Sequence, residues 1–213
     1  MATAPQPQKR RVRKRILIPS IMLAVLALAT IWLYWRGTTA DTTEHNPTSP
    51  ADGPVTQLFS QNGRTAVRCA IIVDAPPATV WRVVTDYDSH SKFVPYIAQL
   101  SSQKLDDGKM RLTGVAHSRM WGDWPFEIDV TESKQPEQGS YSATWDEPDK
   151  SGFAVNRGGW VLKPIGAKQT LLVFTKEAEF PGYPNFLIRN ILMDRVGAIV
   201  RGMRDEALRR RSS

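Results

Sequence analysis

The chain has 213 residues, 41% of them hydrophobic, which is room for one domain of ordinary size with appendages. Its net charge of +7 sits at the amino terminus: Lys9, Arg10, Arg11, Arg13, Lys14, Arg15 and Arg36 are seven of the 28 basic residues, and the other 21 are matched by 21 acidic ones. A body neutral in sum gives no support for a nucleic-acid partner, and one cysteine, Cys69, excludes an intramolecular disulfide and a cysteine-based metal centre.

Residues 1–15 form a basic tail. From Ile16 to Trp35 no charge occurs, and twenty such residues span about 30 Å as a helix, the hydrocarbon thickness of a bilayer. Trp32, Tyr34 and Trp35 lie at the far end, where interfacial aromatics belong, and the basic residues before the run predict a cytoplasmic amino terminus. The expectation is a single-pass transmembrane helix over 16–36 with the carboxyl-terminal domain exported, on the periplasmic or extracellular side. The alternative is a signal peptide cleaved after Thr38-x-Ala40, but this apolar run is longer than a signal core and ends in bulky aromatics. Residues 37–62, rich in Thr, Pro, Asp, Asn and Gly, read as a flexible linker.

The folded domain is expected over 63–213. Residues 65–73 read as a strand, 77–85 as a short helix, and 86–96 as a second helical turn that stops at Pro95. Strands follow at 97–105, 109–120, 124–132, 140–145, 153–163 and 169–180, separated by turn signals such as Asp106-Asp-Gly, Trp121-Gly-Asp and Asp146-Glu-Pro-Asp-Lys. Within them Met110, Leu112, Gly114 and Ala116 share a face, as do Phe126, Ile128 and Val130, and Tyr141, Ala143 and Trp145. Leu172, Phe174 and Ala178 share one if the register slips near Lys176. Residues 184–209 place Ile188, Leu192, Val196, Ile199, Met203 and Ala207 on one side of a long helix. One apolar face per strand suits an antiparallel sheet covered on one side. The expected fold is therefore α+β, a curved antiparallel sheet of about seven strands around a long carboxyl-terminal helix.

Catalytic signals are sparse. Serine nucleophile elbows, zinc-type His-Glu-x-x-His runs and phosphate-binding glycine loops do not occur in the sequence. Gly158-Gly159 reads as a bulge or kink within a strand. His90 and His117 read as surface residues, Asp86 and Asp88 as helix caps, and Cys69 as a small buried hydrophobe. Arg157 reads as a solvated arginine, or as one reaching inward to a polar ligand head. No catalytic residue, metal or cofactor is assigned.

Three segments carry a family resemblance. Residues 75–96 (Ala75-Pro-Pro-Ala-Thr-Val-Trp-Arg-Val-Val-Thr-Asp-Tyr-Asp-Ser-His-Ser-Lys-Phe-Val-Pro-Tyr96), Trp160-Val-Leu-Lys-Pro164 and Phe180-Pro-Gly-Tyr-Pro-Asn-Phe-Leu-Ile188 resemble the helix-grip fold of the START-like superfamily. That superfamily includes the polyketide cyclase/dehydrase and coenzyme Q-binding families. The resemblance covers about 64–210 and implies an apolar cavity between sheet and helix that holds a hydrophobic molecule such as a lipid or isoprenoid quinone. Candidate wall residues are Trp81, Phe93, Met110, Leu112, Phe126, Ile128, Tyr141, Trp145, Phe153, Arg157, Trp160, Phe174, Ile188, Leu192 and Val196. The functions it implies are a binding or transfer module tethered to the bilayer, a cyclase/dehydrase-type enzyme in the same cavity, or a scaffold with a collapsed cavity.

Overall fold

A computed structural model describes residues 14–61, 63–118, 122–146 and 153–212. Helix α1 (Lys14–Thr38) is followed by β1 (Val55–Gln61), β2 (Arg64–Val73), α2 (Pro77–Val84), a 3₁₀ turn (Tyr87–Lys92), β3 (Ile97–Lys104), β4 (Met110–Ser118) and β5 (Gly122–Gln135). Then come β6 (Ser140–Asp146), β7 (Val155–Ile165), β8 (Gln169–Glu179) and α3 (Asn185–Arg211). The basic tail lies outside the described residues up to residue 13, as do the ends of the expected turns at 119–121 and 147–152.

The strands form one antiparallel sheet in the order β1-β2-β8-β7-β6-β5-β4-β3. It has eight strands rather than about seven. The additional one, β1, lies inside the stretch read as linker and pairs with β2 from Val55↔Ala70 to Gln61↔Arg64. Its Leu58 and Phe59 are buried. Polar neighbours hide the strand from a compositional reading, and they do structural work of their own. The buried Arg68 guanidinium donates to the carbonyl oxygen of His45 (2.8 Å), to Glu44 (3.1 Å) and to Asn46 Oδ1 (2.5 Å). Gln57 Nε2 donates to Thr43 O at 2.9 Å, while His45 N–H donates to Gln57 Oε1 at 2.6 Å. Two buried polar side chains thus take their partners from the segment before β1, which folds back along the sheet edge.

The β7–β8 ladder runs unbroken from Val155↔Glu179 to Ile165↔Gln169. Neither the bulge expected at Gly158-Gly159 nor the register slip expected near Lys176 is present; Gly158 pairs with Lys176 directly. The glycine supplies room rather than a kink, since a Cβ there would lie 2.7 Å from Trp145 Cζ2.

Helix α3 packs against β1, β2 and β8. Val196, Val200, Met203 and Ala207 are fully buried, together with Val67, Cys69, Ile71, Val73 and Leu172 of the sheet. The carboxyl end is pinned by charge. Arg210 donates to Asp86 and to Glu206, both at 2.6 Å, and Arg211 donates to Asp74 at 2.8 Å. Hydrogen bonds from Arg209 first, and from Arg210, hold the Glu206 carboxyl down at a pKa of about 2. Asp86 is therefore an ion-pair partner rather than a helix cap, and Asp88 accepts from Ser102 N–H at 2.7 Å.

Among the described residues α1 is the one helix long and apolar enough to cross a membrane, over Ile21–Thr38. Its apolar side chains are exposed, but its last turn docks on α3. Asn190 Nδ2, buried, donates to Leu33 O at 2.7 Å, Tyr34 meets Phe186 edge-on at 5.6 Å, and Arg36 pairs with Asp194 at 2.7 Å. Gly37 makes this approach possible: a Cβ there would lie 2.7 Å from Asn190 Nδ2 and 2.8 Å from Phe186 Cα. Replacing Gly37 by valine should push the helices apart. Hydrogen–deuterium exchange should then accelerate over residues 186–194 while β2 and β8 stay protected; unchanged exchange in α3 would show that the joint does not bear on it.

Candidate ligand-binding cavity

Strand periodicity sends Trp124, Phe126, Ile128 and Val130 of β5 to the concave side, with Ala143 and Trp145 of β6, Asn156 and Trp160 of β7, and Phe174, Lys176 and Ala178 of β8. Opposite them α3 presents Ile188, Leu192, Val196 and Ile199 at helical spacing. The two surfaces do not close completely, and a cavity of about 350 Å³ remains between them. Gly114 of β4 contributes by having no side chain, because a Cβ would sit 2.8 Å from the Phe126 ring.

Ten of the fifteen sequence-derived wall candidates border this space: Leu112, Phe126, Ile128, Trp145, Phe153, Trp160, Phe174, Ile188, Leu192 and Val196. Five are elsewhere. Trp81 and Tyr141 stack on each other at 5.3 Å where α2 covers β6, so the helix fills the place a ligand would take. Phe93 packs against His90 and under Arg210, and Met110 packs against the core at the start of β4. Arg157 does not reach inward; it pairs with Asp146 and, at 3.2 Å, with Glu177, its register partner on β8. His117 is exposed, as expected, and bonds Asp123 at 2.6 Å, yet it also borders the cavity at the rim.

Sequence reasoning missed three groups. Trp124, Phe180 and Tyr183 join the candidate Phe153 in an edge-to-face aromatic cluster at one end, with Trp124 and Phe180 centroids 4.5 Å apart and Phe153 and Phe180 5.0 Å apart. Trp124 was within reach of the period-two rule, standing two residues before Phe126. Lys176 and Asn156 occupy inward positions that apolar patterning skips. Asn156 Oδ1 accepts from Trp145 Nε1 at 3.2 Å and from Lys176 Nζ, and the Lys176 ammonium lies 5.2 Å from the Trp145 ring centre. The third group is the end wall of Tyr87, His90 and Tyr96. Tyr96 adopts a φ of 69°, unusual for a residue with a side chain, and carries Arg195 over its ring at 5.1 Å.

The family model described as polyketide cyclase / dehydrase and lipid transport matches residues 64–210. Among curated proteins no sequence matches. Solved structures share the fold at low identity. The STAR-related lipid transfer protein from Xanthomonas axonopodis (fragment 25-204) is 16% identical with a TM-score of 0.61, covering 75% of this chain and 96% of that one. Human StAR-related lipid transfer protein 5 is 16% identical with a TM-score of 0.64, covering 92% and 99%. The Zhui aromatase/cyclase from Streptomyces sp. R1128 is 16% identical with a TM-score of 0.54, covering 68% and 94%.

His90 is buried, not at the surface, and caps α2 from outside it: Nε2 lies 3.1 Å from Val84 O and 3.3 Å from Val83 O, so this nitrogen carries the proton and donates to both. Burial holds its pKa below the ordinary 6.5, against the opposing pull of those two carbonyls and of Asp86. The unfolded chain therefore takes up a proton near pH 6.5 that the folded chain refuses. The stability this represents is complete above the unfolded value and is lost as pH falls from there toward the folded one. Thermal melts should show a lower Tm at about pH 5.5 than at about pH 7.5, with a smaller drop in His90→Gln. Equal drops in both proteins would remove His90 as the cause.

Proposed function

The chain belongs to the polyketide cyclase/dehydrase and lipid transport family, and on that basis we propose that it is a membrane-tethered module that binds or transfers a hydrophobic small molecule, such as a lipid or isoprenoid quinone. The observation that carries this reading is the cavity itself. Aromatic and aliphatic side chains wall it on both sides, and protein interiors do not ordinarily leave such a space unfilled. Helix α1 supports the tether, since its apolar surface is exposed over Ile21–Thr38 and an apolar ligand partitions into the same bilayer. In this reading the amino terminus is cytoplasmic and the folded domain is exported.

Affinity should come from contact with the wall. Shrinking Trp160 or Phe126 to alanine removes a large apolar area, worth ~2–3 kcal/mol, and should weaken retention of the co-purifying ligand roughly thirty- to hundredfold. Native mass spectrometry of the detergent-extracted full chain, followed by lipid extraction, measures this. A second reading, a cyclase/dehydrase-type enzyme, is favoured by the fold shared with the aromatase/cyclase. Recovery of a chemically altered ligand would establish it, and absence of any ligand would favour a scaffold with a collapsed cavity.

Topology has its own test. In intact spheroplasts, added protease should degrade a tag on the carboxyl end and spare one on the amino end. A mature chain beginning near Asp41 would replace the anchor with a cleaved leader.

A further inference from the structure

His90 has a polar atom that the fold does not use. The residue is 6% exposed and borders the cavity at the end wall. Nε2 carries the ring's proton and donates it to the Val83 and Val84 carbonyls, so Nδ1 keeps a bare lone pair. The two nitrogens diverge across the ring, which turns that lone pair away from α2. Among the described residues no hydrogen bond reaches it. Tyr87 and Phe93 meet the ring edge-on, each with centroids 5.5 Å away, and the Tyr87 hydroxyl donates to Glu132 at 3.0 Å instead.

This nitrogen stays an acceptor. Burial disfavours a second proton on the ring before any other influence, and the two charges that act on it, Asp86 and Arg210, are bound to each other at 2.6 Å. A buried acceptor without a donor is uncommon in folded proteins and costly to leave that way. Other residues bordering the cavity, such as Val94, Leu112, Val130 and Met203, have no side-chain donor to offer. The donor that Nδ1 lacks is one that an occupant of the cavity can bring.

We propose that His90 Nδ1 is a polar anchor of the cavity, and that the ligand is an apolar molecule bearing a hydroxyl group, an alcohol or a phenol, whose O–H donates to it. This rests on the reading of the cavity as a ligand site. It also divides the ligands that reading allows. A quinol or a lipid with a free hydroxyl satisfies Nδ1, whereas a quinone or a fully esterified lipid brings only acceptors and leaves it unpaired. A site built to bond a hydroxyl rejects the analogue without one for that reason. The cavity volume of about 350 Å³ is at the low end for small-molecule pockets, which suits one apolar chain better than two.

The test uses the full chain in a detergent without hydroxyl groups and two matched pairs of probes: dodecanol with its methyl ether, and para-dodecylphenol with its methyl ether. Affinities are taken from tryptophan fluorescence, and comparing each hydroxyl-to-ether ratio between wild type and variants cancels partition into micelles. His90→Phe should lower the ratio for at least one pair by about tenfold. His90→Gln, which has an amide N–H for the α2 carbonyls and a carbonyl oxygen, should keep part of it. A preference confined to the alcohol pair identifies an alcohol ligand, and one confined to the phenol pair a phenol; either supports the anchor. An unchanged ratio in folded His90→Phe overturns it, since a purely structural role would weaken both members of a pair alike. Should His90→Phe not fold, the imidazole nitrogen-15 resonances of the wild type decide. The His90 Nδ1 signal, assigned by its loss in His90→Gln, should move upfield with a hydroxyl probe and not with its ether; the same position in both complexes overturns the anchor. Failure of the wild type to bind any probe would overturn the cavity reading and the anchor with it, whereas equal binding of hydroxyl and ether probes would overturn the anchor alone.

Discussion

Val196, Val200, Met203 and Ala207 fasten the second half of α3 to β2 and β8, and the ion pairs of Arg210 and Arg211 lock its end to the segments around α2. The first half is tied to the sheet by Asn185, which donates to Glu179 of β8 at 2.8 Å, and turns Ile188 and Leu192 toward the cavity. Across from it stand indoles and phenyl rings of β5 to β8, whose bulk keeps the helix from settling. The cavity is the volume between this helix and the large side chains that stop it closing. Its existence follows from where the small residues are placed: they lie among the sheet's aromatics, at Gly114 and Gly158, and so let rings lie flat against the strands without filling the space in front of them.

Much of this was legible in the amino-acid sequence. Period-two alternation located the inward rows of β4, β5 and β6, and helical spacing gave the face of α3 that borders the cavity. What escaped has physical reasons. Strand β1 is short and surrounded by Pro, Asp, Thr and Asn, and its partner residues on β2 are what make it a strand. Arg68 and Gln57 recruit backbone carbonyls from the preceding segment, an arrangement that leaves no compositional trace. Lys176 broke the apolar pattern, and a pattern-based reading resolved the conflict by inventing a slip; the ladder instead keeps its register and buries the exception.

The wall candidates that lie away from the cavity are also instructive. Trp81 of α2 and Tyr141 of β6 are as large and apolar as the residues that border the cavity, but they stack on each other where the helix meets the sheet. Strand alternation tells which side of a sheet a residue occupies and says nothing of which neighbour lies above it at that level. Arg157 illustrates the opposite limit. Its position one step from Asn156 sends it to the convex face, where two carboxylates wait. His90 was misjudged because a polar residue in a short turn looks solvated until one sees that it terminates the helix before it.

The contact between α1 and α3 has a mechanical consequence. Gly37, Asn190 and the Arg36–Asp194 pair weld the last turn of α1 to the first turns of α3. The apolar helix is thus joined to the body by a direct contact with α3 as well as by the residues between α1 and β1. Because α3 is also one wall of the cavity, any torque on α1 acts on that wall first, at the end that carries Ile188 and Leu192.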